Sequence, residues 1–133
     1  MRNPAIILAG KTNFPQLAAL IARLDLLVSI DTVAIHIAAA TNTPTVGIYG
    51  KTYIYKWTPW NKDKQTIITH YHYCGACWLG DYYDRIVPTH TKTNICRKDN
   101  ICIKGISAQE VIAAAKNLLA AHSKRTEKLA LKA

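Results

Sequence analysis

An Asp-Thr pair, Asp31 and Thr32, stands where the apolar run Leu26 to Ile30 meets an alanine-rich helical stretch, and His36 follows on that helix's second turn. The chemistry such a junction offers is anion binding. The unpaired amides at the start of a helix and the positive end of its dipole attract phosphate. Parallel strands that end at helix starts also build the crevice in which phosphorylated ligands sit. A second apolar strand, ending at Gly50, completes half of a nucleotide-binding βαβ unit within residues 25–50.

The cysteines form the other chemical grouping: Cys74-Gly-Ala-Cys77, then Cys96 and Cys102. Two close pairs on a loop-rich segment match the soft tetrahedral ligand set of a structural zinc site. The second pair is spaced more widely than in a usual zinc knuckle, so free thiols or disulfides stay open, disulfides being disfavoured in a reducing cytosol. Redox catalysis by Cys74 and Cys77 fits poorly, because a strand and a pKa-lowering helix do not flank them. His70 and His72 alternate with Tyr71 and Tyr73, as on one side of a strand, which makes them candidate metal ligands or simply exposed histidines.

The elements that must position these groups are legible upstream. Ala5 to Ala9 reads as a strand covered on both faces. The turn Gly10-Lys-Thr12 leads to a helix starting at Asn13, with Gln16 three residues on as a capping-box partner and Pro15 in the first turn. Leu17, Leu20, Ile21 and Leu24 give that helix one apolar stripe. Strands follow at Leu26–Ile30 and Thr45–Tyr49, separated by a helix from about Thr32 to Ala40 that places Val33, His36, Ile37 and Ala40 on one face. Strands alternating with helices at this interval imply right-handed parallel crossovers.

Residues 51–106 change character. They are rich in Tyr, Trp, Lys and Thr, with one strand expected at Thr66–Thr69, and they are too long for a bare connection in a compact domain. Ser107 and Glu110 then form a capping box for a helix with Val111, Ile112, Ala115, Leu118 and Leu119 inward. Residues 1–122 thus make one partial α/β domain with an irregular Cys- and aromatic-rich segment, and residues 123–133 a frayed basic tail.

The chain has 133 residues and a net charge of +9, from 17 Lys and Arg against 8 Asp and Glu. Residues 51–133 hold fourteen of the basic and six of the acidic residues. This basic flank implies an anionic partner, whether phosphorylated ligand, acidic lipid headgroups or nucleic acid, or else a solvated surface. No run of about 18 apolar residues is present, and the N-terminus does not read as a signal peptide, which points to a cytosolic protein.

Residues 8–52 carry a specific likeness. Gly10, Lys11 and Thr12, then Asp31, Thr32, His36, Ala38, Ala39, Ala40, Pro44, Gly50 and Thr52, followed by Trp57 and Pro59, resemble the C-terminal lobe of the lipopolysaccharide heptosyltransferases, glycosyltransferase family 9. The likeness extends more weakly to the last helix through Ile106, Ser107, Ala108 and Val111. Val33 stands where the family usually has Gly, and Lys51 where it usually has Pro.

The resemblance implies a Rossmann-like parallel sheet with flanking helices, the C-terminal half of a GT-B glycosyltransferase with an irregular Cys-containing insertion. It implies inverting transfer of heptose or a related sugar from an ADP-heptose-like donor to a lipid-A-core or other glycan acceptor. The acceptor surface and the general base belong to an N-terminal lobe outside this chain. Phosphate contacts fall to Thr32 and the amides around Val33, a donor contact to Asp31, and supporting contacts to His36, Lys11 and Thr12. No cofactor is needed for the chemistry, a structural zinc on Cys74, Cys77, Cys96 and Cys102 being the only metal expected. The location implied is cytoplasmic, peripheral to the inner membrane.

Each residue has a plainer role available. Asp31 is a favoured N-cap type, His36 shares an apolar helix face, and Lys11 sits in a solvated turn. Trp57 and Trp60 suit packing better than sugar stacking. Two other function classes compete: a stand-alone nucleotide-binding module without catalysis, and a zinc-stapled basic nucleic-acid-binding protein.

Overall fold

The computed structural model describes residues 4–50, 54–60, 62–70 and 99–130. Its frame is a three-stranded parallel sheet in the order β1 (Leu27–Ile30), β2 (Thr45–Ile48), β3 (Gln65–Ile68). The register pairs Ile30 with Ile48 and Ile48 with Ile68, so the three carboxyl ends are level. Helices α1 (Phe14–Ile21) and α2 (Val33–Ala40) pack on each other, and α2 packs on β1 and β2.

Local chemistry sets α1 as expected. The Asn13 side chain accepts from the Gln16 N–H at 2.9 Å, and the Gln16 side chain accepts from the Asn13 N–H at 3.0 Å. Ile21, Ile37 and Ala38 are buried together, with Leu17, Leu24 and Leu27 against them. Thr43, buried, donates to the Ile21 carbonyl at 2.9 Å, satisfying an end of α1 that the helix leaves open.

Tyr49 and Val46 on the central strand are completely buried. The second is an interior residue of a strand covered on both sides, as a parallel sheet requires. The long helix α5 (Ala108–Ala130) packs against β2 and β3. It is preceded by the short helix α4 (Ile101–Lys104), and residues 54–57 form the short helix α3 ahead of a 3-10 turn at Lys62–Lys64.

Several expectations are corrected. Residues 5–9 form no strand; Ile6 is 85% and Ile7 72% exposed, because an apolar run becomes a strand only where a neighbour supplies the ladder. The stripe expected on α2 divides: Ile37 is buried with Ile35 and Ala38, while Val33, His36 and Ala40 face outward. The chain beyond His122 is helical to Ala130 rather than frayed, in keeping with its Lys, Glu, Leu and Ala content. On α5, Val111, Ala115 and Leu118 are half-buried, but Ile112 and Leu119 are exposed. Within residues 51–106, expected to be more than a bare connection, the described parts hold α3, the 3-10 turn, β3 where a strand was expected, and α4.

The capping box at Ser107 is only half made. The Glu110 N–H donates to Ser107 Oγ at 3.2 Å, but the Glu110 carboxylate turns to His70 Nε2, 3.0 Å from both of its oxygens. His70 is therefore a tie between the end of β3 and the first turn of α5.

Candidate functional site

The candidate site lies one residue beyond the level strand ends, where Asp31 follows β1, Tyr49 follows β2 and Thr69 follows β3. The Tyr49 N–H donates to the Ile68 carbonyl at 2.9 Å, which carries the ladder one step past β2. Asp31 is half-buried, and Thr32 and Val33 behind it are exposed.

Thr32, not Asp31, is the N-cap of α2, with extended backbone and no side-chain bond to the helix amides. Its hydroxyl instead lies 3.2 Å from Ser29 Oγ, which itself donates to the Ile30 carbonyl at 2.9 Å. The Ile35 N–H bonds to the Thr32 carbonyl at 3.1 Å. By helix geometry the amides of Val33 and Ala34 are then the open donors of the first turn. An Asp that neither caps the helix nor sits in the interior is available to a ligand.

His36, one turn on, is exposed on the same outward face as Val33, so the core-histidine reading does not hold. Lys11 and Thr12 are exposed on the turn before α1, where Gly10 takes φ +72 and the Lys11 N–H donates to the Leu8 carbonyl at 3.0 Å. Among the described residues, no ion pair or hydrogen bond ties Lys11 to Asp31, Thr32 or His36. Asp31, Thr32, Val33 and His36 thus share the β1–α2 junction, and among the described residues no hydrogen bond or ion pair ties Lys11 or Thr12 to it.

Tyr49 was not singled out by its sequence context. It is completely buried, and its hydroxyl has no hydrogen-bond partner. Burial pushes the phenol pKa up from 10.0, the Asp31 carboxylate pushes it further in the same direction, and the Thr58 hydroxyl opposes the rise. Thr58 is thus close by, yet neither hydroxyl has a hydrogen-bond partner among the described residues. The one available signal was a lone hydroxyl-bearing ring at the end of an otherwise apolar strand.

Cys74, Cys77 and Cys96 lie outside the described residues, as does His72. Cys102 is a half-buried free thiol on α4, and no group of three metal-ligating side chains occurs among the described residues. Trp60 is 98% exposed and Trp57 41%, so neither is packed as the sequence suggested.

The family profile described as Glycosyltransferase family 9 (heptosyltransferase) matches residues 1–81. The chain belongs to that family. It is 35% identical over 116 residues to an Escherichia coli lipopolysaccharide heptosyltransferase 3, covering 87% of this chain and 30% of that protein. It is 43% identical over 68 residues to lipooligosaccharide heptosyltransferase 2 of Haemophilus influenzae, 51% of this chain and 19% of that one. A Campylobacter jejuni lipooligosaccharide heptosyltransferase 2 is 31% identical over 113 residues, 84% and 31% of the two chains. The chain therefore spans less than a third of the length of these relatives. No solved structure matches it. No helix of the described residues is long and apolar enough to cross a membrane.

Proposed function

We propose that this chain is the donor-binding part of a heptosyltransferase of GT-B architecture, holding the diphosphate of an ADP-heptose-like sugar at the start of α2. The observation that carries this reading is the Asp31–Thr32 junction: it stands at the carboxyl edge of a parallel sheet with its helix amides outward and its carboxylate unspent. In this reading the Val33 and Ala34 amides and the Thr32 hydroxyl bind phosphate oxygens, as helix starts do. Asp31 accepts from donor hydroxyls, and His36 borders the same face.

The chemistry proposed is inverting transfer to a lipopolysaccharide-core or other glycan acceptor. A carboxylate outside these residues removes the acceptor proton. The α2 amides stabilise the charge that grows on the departing diphosphate, which is the effect that fixed donors contribute best. The exposed Lys11 on the turn before α1 is proposed as a supporting cation for the diphosphate. A cytoplasmic place against acidic lipid headgroups accords with the basic flank.

Calorimetric titration with ADP tests the reading. Saturable binding is expected, weakened at least tenfold, about 1.4 kcal/mol, by Asp31→Ala in a chain that keeps its circular dichroism. Absence of saturable binding by the folded wild-type chain would refute it. A nucleotide-binding module without turnover is the second reading, favoured by Val33, whose exposed side chain stands beside the amides where a diphosphate would approach. Strongly salt-dependent RNA binding with no response to ADP would instead support a nucleic-acid partner.

A further inference from the structure

We propose that Ser29 is a positioning residue for the donor diphosphate: in the free chain its hydroxyl holds the Thr32 hydroxyl off the α2 amides, and with phosphate bound it donates to Thr32 Oγ1 while Thr32 donates to the ligand. This rests on the donor-site reading of the Asp31–Thr32 junction.

Ser29 lies on β1 opposite Gly47 of β2, where the parallel ladder fixes it. Strand alternation puts it on the face of Leu27, which packs against the core residues Ile37 and Ala38 of α2. Val28 and Ile30, its chain neighbours, point the other way and are 46% and 60% exposed. A serine on the helix-covered face, between two apolar side chains that face outward, is not placed there by packing.

Its hydrogen bonds have a direction. A hydroxyl carries one proton, and that of Ser29 goes to the Ile30 carbonyl, 2.9 Å away. In the 3.2 Å contact between the two hydroxyls, Thr32 is therefore the donor and Ser29 Oγ the acceptor. An N-cap threonine ordinarily accepts from the second or third amide of its helix, which Thr32 does not do. The Ile35 N–H is already bonded to the Thr32 carbonyl at 3.1 Å. The amide that the free hydroxyl would reach is thus that of Ala34, one of the two left for phosphate. Ser29 keeps that donor open.

An ionised phosphate oxygen only accepts, so the Thr32 proton must turn to it. Rotation of two O–H bonds is enough. Thr32 swings its proton to the phosphate, and Ser29 swings its own from the Ile30 carbonyl to Thr32 Oγ1, with no heavy atom displaced. The carbonyl gives up its bond at an exposed position, where water replaces it. A hydroxyl that accepts a hydrogen bond becomes a stronger donor, so the row from Ser29 through Thr32 to phosphate holds the ligand better than Thr32 alone.

The experiment is a double-mutant cycle on the full 133-residue chain: wild type, Ser29→Ala, Thr32→Val and the double variant, each titrated with ADP by calorimetry, with amide hydrogen exchange followed by NMR before nucleotide is added. Expected is roughly fivefold weaker ADP binding by Ser29→Ala, the size of one hydrogen bond's net contribution, and no further loss when Ser29→Ala is added to Thr32→Val. Ser29→Thr, which keeps the hydroxyl, should recover the affinity that Ser29→Ala loses. The Ala34 N–H should exchange more slowly in Ser29→Ala, where Thr32 is released to cap α2. A serine that serves only the strand would weaken binding by the same factor whatever stands at position 32 and would leave the Ala34 amide unchanged. Wild-type affinity in Ser29→Ala, or losses that add in the double variant, would overturn the proposal while leaving the donor site standing. Lack of ADP binding by the wild type would overturn both.

Discussion

Val33 is the side chain that most restricts approach to the α2 amides. It is 52% exposed at the first helical position, so its removal leaves no cavity. In the donor-site reading Val33→Gly lets a diphosphate come closer to the backbone. The expected result is severalfold tighter ADP binding, with up to about 1 kcal/mol lost from helix stability, measured by calorimetry and thermal melts; unchanged or weaker affinity would show that Val33 does not crowd the site. Tyr49 gives a second test. Its folded pKa is raised, so the protonated phenol's contribution to stability is fully present below about pH 10, its unfolded value, and is lost as pH rises through the folded value. Denaturant melts across that alkaline range should show a fall in stability that Tyr49→Phe removes in part. At this scale the sequence pointed to Asp31, Thr32 and His36 by type and order alone. Tyr49 was hidden because its burial and its neighbours Asp31 and Thr58 come from other elements of the fold, a long-range relation that no local pattern encodes.

Gly47 shows how an element depends on one missing atom. A methyl there would meet the Tyr49 ring at 2.7 Å, and the ring is enclosed on all sides, so neither can yield cheaply. Gly47→Ala is expected to destabilise the chain by about 1–3 kcal/mol through overpacking, read from denaturant midpoints. Gly50→Ala should cost less, because the Cβ there meets only Cγ1 and Cδ1 of Ile103, a side chain 42% exposed and so free to turn aside. Equal costs would contradict the packing described. The start of helix α1 was legible, since Asn13, Pro15 and Gln16 act within four residues of one another, whereas its end was not: Leu24, expected on the helical stripe, lies past the last helical residue Ile21 and packs on the core from beyond it. The segment 5–9 misled for the opposite reason: apolar content makes a strand possible, but only a partner makes it form. The α5 cap misled in part because Glu110, a fitting capping residue by spacing, found His70 forty positions away.

At the scale of the molecule, the tie from Glu110 to His70 and the open side of β1 have opposite effects. The first closes α5 onto the sheet. The second leaves Val28 46% and Ile30 60% exposed on an outer strand, together with Ile6 and Ile7. An uncovered apolar strand edge is a template for another chain. The 133-residue chain is therefore expected to self-associate as concentration rises, and Val28→Lys, which places a charge on that strand without touching Asp31 or the α2 amides, should shift it toward monomer. Sedimentation velocity across a concentration series checks this. A wild-type chain that stays monomeric throughout would refute this expectation, whereas relief by Val28→Lys with ADP binding retained would separate assembly from ligand binding.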